Sequence, residues 1–396
     1  MAHDAPIRVA AIGCGQFMRQ QHIQTIARSA RLHLHALVDI DSQRLADVAA
    51  RHRPKRQTTR WEEVVADPAV DVVVVAVRPE FHAEIARAAL EAGKPVYVEK
   101  PLAPTPDECR RVHELARRRG LPVAVGFNRR FAPATVRLRE AFRAAGSPVS
   151  LYYRIADDGR IRPPDQAWKN EDRLLIEAVH MFDLFAYLLE SEPVQVYARE
   201  TRPNDAWVLL EFANGSRAGL LSSSQGSLAQ PKEHLEAILV RGTVEMDDFV
   251  EFRSFGLAGI PAVEYYAGRA YDGCDNRHVE DFARRGLAAL RDLRERYARA
   301  ADESGVLANS ADEAAWDRFH RMLGDPPLPQ VNYASDKGWG AALEQFCAAA
   351  VEGRVPANAT AIDGNRATAC AVAARRSIQT NQPVDLDPQE WRTAEE

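Results

Sequence analysis

Ile7-Arg8-Val9-Ala10-Ala11-Ile12-Gly13-Cys14-Gly15-Gln16-Phe17-Met18 reads as an apolar strand entering a glycine turn, and a helical pattern follows from about Gln16 to Ala30. Strand, glycine turn and helix are the parts of a dinucleotide-binding unit. Gly13 permits the tight turn, and Gly15 lets the backbone approach a pyrophosphate held at the helix N-terminus. Gln16 and Phe17 lie on the same turn and join them as cofactor-contacting candidates. Met18 occupies the position of the third glycine in this pattern. That glycine serves close packing of helix on strand, so a bulky residue there predicts a slightly displaced helix with the phosphate turn intact.

The next strand, 34–38, ends in Asp39-Ile40-Asp41. An acid at a strand end, beyond the glycines by about 20 residues or more, is placed to bind the adenosine ribose and to repel a 2′-phosphate, so NAD is favoured over NADP. The other reading of this turn is a helix cap near Ser42, a task open to Asp41 while Asp39 takes the ribose. The continuously apolar run 71–77 predicts a central parallel strand, followed by a helix over 81–92 stopped by Gly93. Strand 96–98, helix 107–119 and strand 122–125 continue the alternation, which predicts a doubly wound parallel α/β sheet over 1–128. Ligands of such sheets sit beyond the carboxyl ends of the strands, where Gly13, Asp39, Arg78, His82 and Lys100 all fall.

Lys100 closes the stretch Val96-Tyr97-Val98-Glu99-Lys100-Pro101. A buried strand that stops at an acid, a lysine and a proline delivers polar groups to a cleft; the rival reading is a salt-bridging surface lysine ahead of a loop. A cis Lys100–Pro101 bond is expected.

Composition bounds the partners. The 396 residues suggest two domains, and a hydrophobic fraction of 46% fits a soluble globular chain. Arginines are mixed with acids and the net charge is -5, which speaks against nucleic acid. No apolar run approaches the roughly 20 residues that span a bilayer, and residues 1–6 lack the features of a signal peptide, so no membrane partner and a cytoplasmic location are expected. The five cysteines are scattered and read as reduced packing residues; His33 and His35 share a strand face without a third ligand nearby, so no metal is expected.

Beyond about Phe131 strand signals dominate, at 149–155, 194–200, 206–212, 217–223 and 235–241, with Asn214-Gly215 as a hairpin turn. Between the first two lies the apolar helical stretch 174–189, broken by Glu177, His180 and Asp183. These fall three residues apart, on one side of a helix. His180 has two readings, a core histidine satisfied by neighbours or a general base. The segment 154–173 carries Arg154, Arg160, Arg162, Lys169 and Arg173 with Trp168 and two prolines. It reads either as a substrate loop, with Trp168 on a sugar face and a cation on a carboxylate or phosphate, or as a solvated loop. Arg129 and Arg130 divide similarly between substrate contact and a structural ion pair. From 256 to 330 an apolar stripe of Phe282, Leu290, Leu293 and Tyr297, and Ser310-x-x-Glu313 as a capping box, predict an inserted pair of helices that docks on its own domain, covers the site or extends an interface.

Several of these stretches together resemble the glucose-fructose oxidoreductase / inositol dehydrogenase / MocA (Gfo/Idh/MocA) family. They are Gly13-x-Gly15, Asp39-Ile40-Asp41 with Arg44, Pro79 with His82, the string Gly93-Lys94-Pro95-Val96-Tyr97-Val98-Glu99-Lys100-Pro101-Leu102-Ala103, and Val125-Gly126-Phe127-Asn128-Arg129-Arg130-Phe131. The likeness resumes at 177–189 and at 336–384, with Phe346, Gly353, Ser377-Ile378 and Pro383-Val384. The resemblance implies a Rossmann domain, here 1–128, and a C-terminal α+β domain, 129–396, with an open, mostly antiparallel sheet used for homodimer or homotetramer contacts; the C-terminal helices return to the N-terminal domain. It implies NAD held by Gly13, Gly15, Gln16, Phe17, Asp39, Arg44, Arg78, His82, Glu99 and Lys100, with Lys100 on the substrate hydroxyl and His180 as its proton acceptor. Asn128, Arg129, Arg154, Trp168, Glu177 and Asp183 complete the expected substrate contacts. The chain departs from the family's sugar and inositol dehydrogenases at Ile176, where many have an aspartate four residues before the histidine; Glu177 is the nearest acid. The expected activity is NAD-dependent oxidation or reduction at a secondary alcohol of a sugar, cyclitol or derivative. An NAD-dependent glycosidase on the same fold would release sugar without net NADH, and a non-enzymatic NAD-binding regulator would tend to lack Lys100 and His180.

Overall fold

The computed structural model describes residues 5–391 apart from 163–165, 167 and 170. The two prolines of the predicted substrate loop, Pro163 and Pro164, and the first four residues of the segment read for a signal peptide lie outside the described residues. The chain forms two compact units: one of residues up to 131, 338–369 and from 388 onward, the other of 132–337 and 370–387.

The first unit is built on six parallel strands: β1 (Ile7–Ile12), β2 (Leu32–Val38), β3 (Arg56–Thr58), β4 (Val72–Val75), β5 (Val96–Val98) and β6 (Val123–Val125). Their order, β3-β2-β1-β4-β5-β6, is the doubly wound arrangement. β4 explains its own place: four valines, all fully buried, suit only a strand covered on both faces, each contributing about 1.5–3 kcal/mol by burial. Helices are started where the sequence supplies caps. The Asp41 carboxylate accepts from the backbone N–H groups of Gln43 and Arg44 at the head of the helix Ser42–His52, and Thr105 caps Pro106–Arg119, which ends at Gly120 with φ +63°. At Met18, in place of the third glycine, the chain makes a π-helical turn, Met18–His22, before the α-helix Ile23–Arg28. This wider turn takes up the buried Met18 side chain beside the strand. The helix Trp339–Val351 joins the same core, its Leu343, Phe346 and Cys347 packing with Val9, Val72 and Tyr97.

The second unit carries a nine-stranded sheet: β7 (Ser150–Ala156), β8 (Pro193–Arg202), β9 (Asp205–Phe212), β10 (Arg217–Ser223), β11 (Glu233–Leu239), β12 (Gly242–Asp247), β13 (Glu251–Phe255), β14 (Val263–Tyr265) and β15 (Val384–Asp385). The order is β14-β13-β12-β11-β7-β10-β9-β8-β15, and only the β7–β10 pair is parallel. One face packs on the helix Val179–Leu189, with the Tyr153 and Phe185 rings 5.9 Å apart. The other exposes Tyr197, Trp207, Leu209 and Ile238, and Tyr152 stacks on Trp207 at 6.0 Å.

Residues 256–330 differ from expectation. They hold β14 and three helices, His278–Arg285, Leu287–Glu303 and Glu313–Met322, rather than a pair. Gly286, at φ +52°, divides the first two, and a side chain there would collide with Tyr265 and Glu251. The cap of the third is Asp312, which accepts from the Ala314 N–H, not Ser310. The predicted stripe does form a core: Phe282, Leu290, Leu293 and Tyr297 pack with Phe319, Leu228 and Val250, docking the helices on their own unit.

Candidate active site

In the first unit every predicted cofactor residue lies at or just past the carboxyl edge of the parallel sheet. Gly13 follows β1, donates its N–H to the Val38 carbonyl at 2.8 Å and has φ +93°; a Cβ on it would lie 2.4 Å from the Ala76 oxygen. Glycine is therefore required there twice over. Gly15 is different: a Cβ on it would meet no protein atom within 4 Å, so packing does not demand a glycine. A backbone that an approaching phosphate must reach does, which is the fit expected for a dinucleotide. Gln16 and Phe17 follow directly, and the Phe17 ring stands edge-on to His22 at 5.4 Å.

Asp39 ends β2 and is buried. One carboxylate oxygen accepts from the Cys14 N–H at 2.6 Å and the other from the Asp41 N–H at 2.8 Å, so the acid ties the glycine turn to the end of β2. Arg44 reaches both acids, at 3.5 Å from Asp39 and 3.1 Å from Asp41. Burial and the Asp39 charge push the Cys14 thiol up to about 12, making it inert. Arg78, exposed, pairs with Glu80 at 2.8 Å.

Around Lys100 the arrangement is tighter. The Glu99 carboxylate is buried, 2.9 Å from Nε2 of His22, and its second oxygen accepts from the Lys100 N–H at 3.3 Å. Gly126 leaves the space it occupies: a Cβ there would lie 2.7 Å from the carboxyl group. The Lys100–Pro101 peptide is cis. Buried His82 faces the Pro101 carbonyl at 2.7 Å and that of Val77 at 3.1 Å, and burial holds its pKa below the ordinary histidine value. Its ring therefore supports the loop bearing Lys100. Asn128 and Arg129 are buried past β6, while Arg130 makes a 2.9 Å ion pair with Asp363, the structural role allotted to one of the two arginines. His35 lies 3.5 Å from Asp67.

In the second unit, Glu177 lies in the π-helical turn Leu174–Ala178 and His180 and Asp183 on the helix that follows, both buried. Glu177 is held by Lys232 at 2.8 Å. Lys232 also lies 3.4 Å from Asp157, which takes a 2.8 Å ion pair from Arg173 and a 3.4 Å contact from Arg162. Arg173 donates as well to Ser222 and the Ile155 carbonyl, a wholly internal arrangement. Arg154 follows Tyr153 on β7 and so projects from the opposite sheet face, donating to the Pro231 carbonyl at 2.9 Å. Trp168 is half-buried beneath the Lys169 ammonium at 5.8 Å. Asp157, Lys232 and His22 carry no mark in the sequence that would single them out. Lys232 sits in a polar stretch that reads as surface, and only folding brings it to Glu177, 55 residues away.

Residues 7–127 match a family described as oxidoreductases with an NAD-binding Rossmann fold. The inositol 2-dehydrogenase of Acidothermus cellulolyticus is 33% identical over 207 residues, covering 52% of this chain and 60% of that protein. That of Corynebacterium glutamicum strain R is 35% identical over 223 residues, covering 53% and 64%. This chain thus spans about six-tenths of the length of the curated relatives it matches. The myo-inositol 2-dehydrogenase of Lactobacillus plantarum shares the fold of both units, with a TM-score of 0.70 at 16% identity over 96% of this chain and 100% of that one. Among the described residues no helix is long and apolar enough to cross a membrane.

Proposed function

We propose that this chain, whose residues 7–127 match the Gfo/Idh/MocA oxidoreductase family, is an NAD-dependent oxidoreductase of that family acting on a secondary alcohol of a sugar, cyclitol or sugar derivative. The observation that carries the reading is Lys100, an ammonium at the carboxyl end of β5 directly after an acid clamped by His22. Gly13, Gly15, Gln16 and Phe17 offer backbone to the pyrophosphate, and Asp39 with Arg44 borders the ribose. Bound NAD supplies the hydride acceptor. His180 takes the hydroxyl proton as general base, while Lys100 donates a hydrogen bond to the same oxygen and stabilises the negative charge that develops there. Asp183, Asn128 and Arg129 are the remaining candidates for orienting the substrate. Ile176, with Glu177 engaged by Lys232, supports a sugar or cyclitol class rather than inositol itself.

The test is NAD reduction across a panel of hexoses, cyclitols and sugar acids, followed by Lys100→Ala and His180→Ala on the best substrate. Each variant is expected to lose roughly 100-fold or more in kcat; near wild-type rates in both would overturn the assignment. The apolar outer sheet face, Trp207 and Leu209 at its centre, suits a second copy of this chain.

A further inference from the structure

Lys232, Arg162 and Arg173 are three cations that share two carboxylates, Asp157 and Glu177. The network beside it is balanced: Glu233 with Lys337 at 2.6 Å, and Asp248 with Arg294 at 2.6 Å. Asp158 is taken by Arg160 at 2.6 Å. Asp183, six residues beyond Glu177, lies about 9 Å further along the helix axis. Among the described residues the cluster therefore carries one positive charge in excess. Two of its cations have tight partners at 2.8 Å, but Arg162 has a 3.4 Å contact to Asp157 and a buried Nε that meets no hydrogen-bond acceptor among the described residues. Its side chain is 19% exposed and that of Glu177 is 17% exposed, so the cluster opens to the surface.

We infer that the substrate carries a carboxylate, recognised by Arg162 and Lys232 at the cluster that holds Glu177, three residues before His180. The inference rests on the hydride-transfer reading for its substrate but on this cluster for its chemistry. A buried guanidinium N–H without an acceptor is costly, and a planar anion with two oxygens matches its fork. Charge selects among ligands: a monoanion cancels the excess, a phosphate dianion overshoots it, and a neutral polyol leaves it in place. Sugar acids, uronates and aldonates, are the class that combines a secondary alcohol with one such group.

The experiment compares glucose with glucuronate and gluconate, and galactose with galacturonate, for NAD reduction by the full chain. Acids should exceed their neutral partners in kcat/KM by roughly tenfold or more, the factor one charge-assisted hydrogen bond supplies. Arg162→Gln should erase that preference by raising KM for the acids, with the melting temperature and NADH binding retained. Equal or better use of the neutral sugars, or a preference that persists in Arg162→Gln, overturns the inference. If nothing in the panel is oxidised, calorimetric titration of glucuronate and gluconate into the NADH-loaded protein decides: binding that Arg162→Gln abolishes upholds the carboxylate site and counts only against hydride transfer, whereas no binding removes the site. Lys232→Met, checked for folding by circular dichroism, should show the same loss of acid binding.

Discussion

Nε2 of His22 and Oε1 of Glu99 lie 2.9 Å apart, both side chains buried, joining the first helix after the glycine turn to the residue before Lys100. The contact links the helical turn after Gly15 to the loop that bears Lys100. His22→Ala would leave a buried carboxylate oxygen without its hydrogen-bond donor, at a cost of about 1–3 kcal/mol. Glu99→Gln keeps shape and one hydrogen bond and should cost less. Urea unfolding of both single variants and the double variant should give a coupling energy of about 0.5–3 kcal/mol; strict additivity would show that the pair is incidental.

Two glycines separate a packing requirement from a ligand requirement. Gly126→Ala would drive its methyl group to 2.7 Å from the Glu99 carboxyl, so the protein should lose stability and, through the displaced acid, activity. Gly15→Ala meets no protein atom within 4 Å and should melt like the wild type. Its NADH affinity, read by fluorescence titration, should nonetheless fall by roughly tenfold or more as the methyl group obstructs the phosphate. Unchanged NADH affinity in Gly15→Ala would remove the glycine turn from the cofactor site.

Five strands of the parallel sheet were legible because each is an apolar run that ends at a polar turn, and because the caps Asp41 and Thr105 and the stop Gly120 act locally, whereas β3, with the polar sequence Arg56–Thr58, was missed. The strands β12 to β14 were missed for the opposite reason. Thr243, Glu245, Arg253 and Glu251 interrupt the apolar pattern, and pairing with β11 and with one another makes them strands. Within the site, residues at strand ends could be found from position alone, whereas the partners of Glu99, Glu177 and Asp157 could not. His22 and Lys232 acquire meaning from contacts made to residues 77 and 55 positions away, while Arg162 meets Asp157 locally. Asp39 lies between these cases: its place was readable, but its two backbone hydrogen bonds, to Cys14 and Asp41, belong to the folded turn.

The outer sheet face gives a test of assembly. Trp207 and Leu209 are exposed on β9, and Tyr152 stacks on Trp207. If a second copy covers this face, the pair Trp207→Glu and Leu209→Glu should shift the mass measured by light scattering to that of a monomer while unit stability is retained, since both side chains face outward. A wild-type protein that is already monomeric at micromolar concentration would exclude the proposal.

Lys232 and Asp157 give one cluster of the second unit its own pH response. Burial alone would lower its pKa, but Glu177, Asp157 and Glu233 outweigh burial and raise it. For Asp157 burial would raise the pKa, yet Arg173, Lys232 and Arg162 bring it below the ordinary carboxylate value. The raised lysine contributes stability that is complete below its unfolded pKa of about 10.4 and fades as pH rises through the folded value. The depressed acid contributes stability that is complete above about 3.9 and fades as pH falls toward its folded value. Between these limits the contribution is flat. Lys232→Met removes the cation 2.8 Å from Glu177, while Asp157 keeps Arg173, and should cost about 3–5 kcal/mol at pH 7 in urea unfolding. As pH falls from about 3.9 toward the folded pKa of Asp157, the stability that this acid draws from Lys232 fades in the wild type, so the deficit should narrow. A deficit that stays constant or widens on acidification would show that Lys232 stabilises by packing its stem and not by holding these two acids.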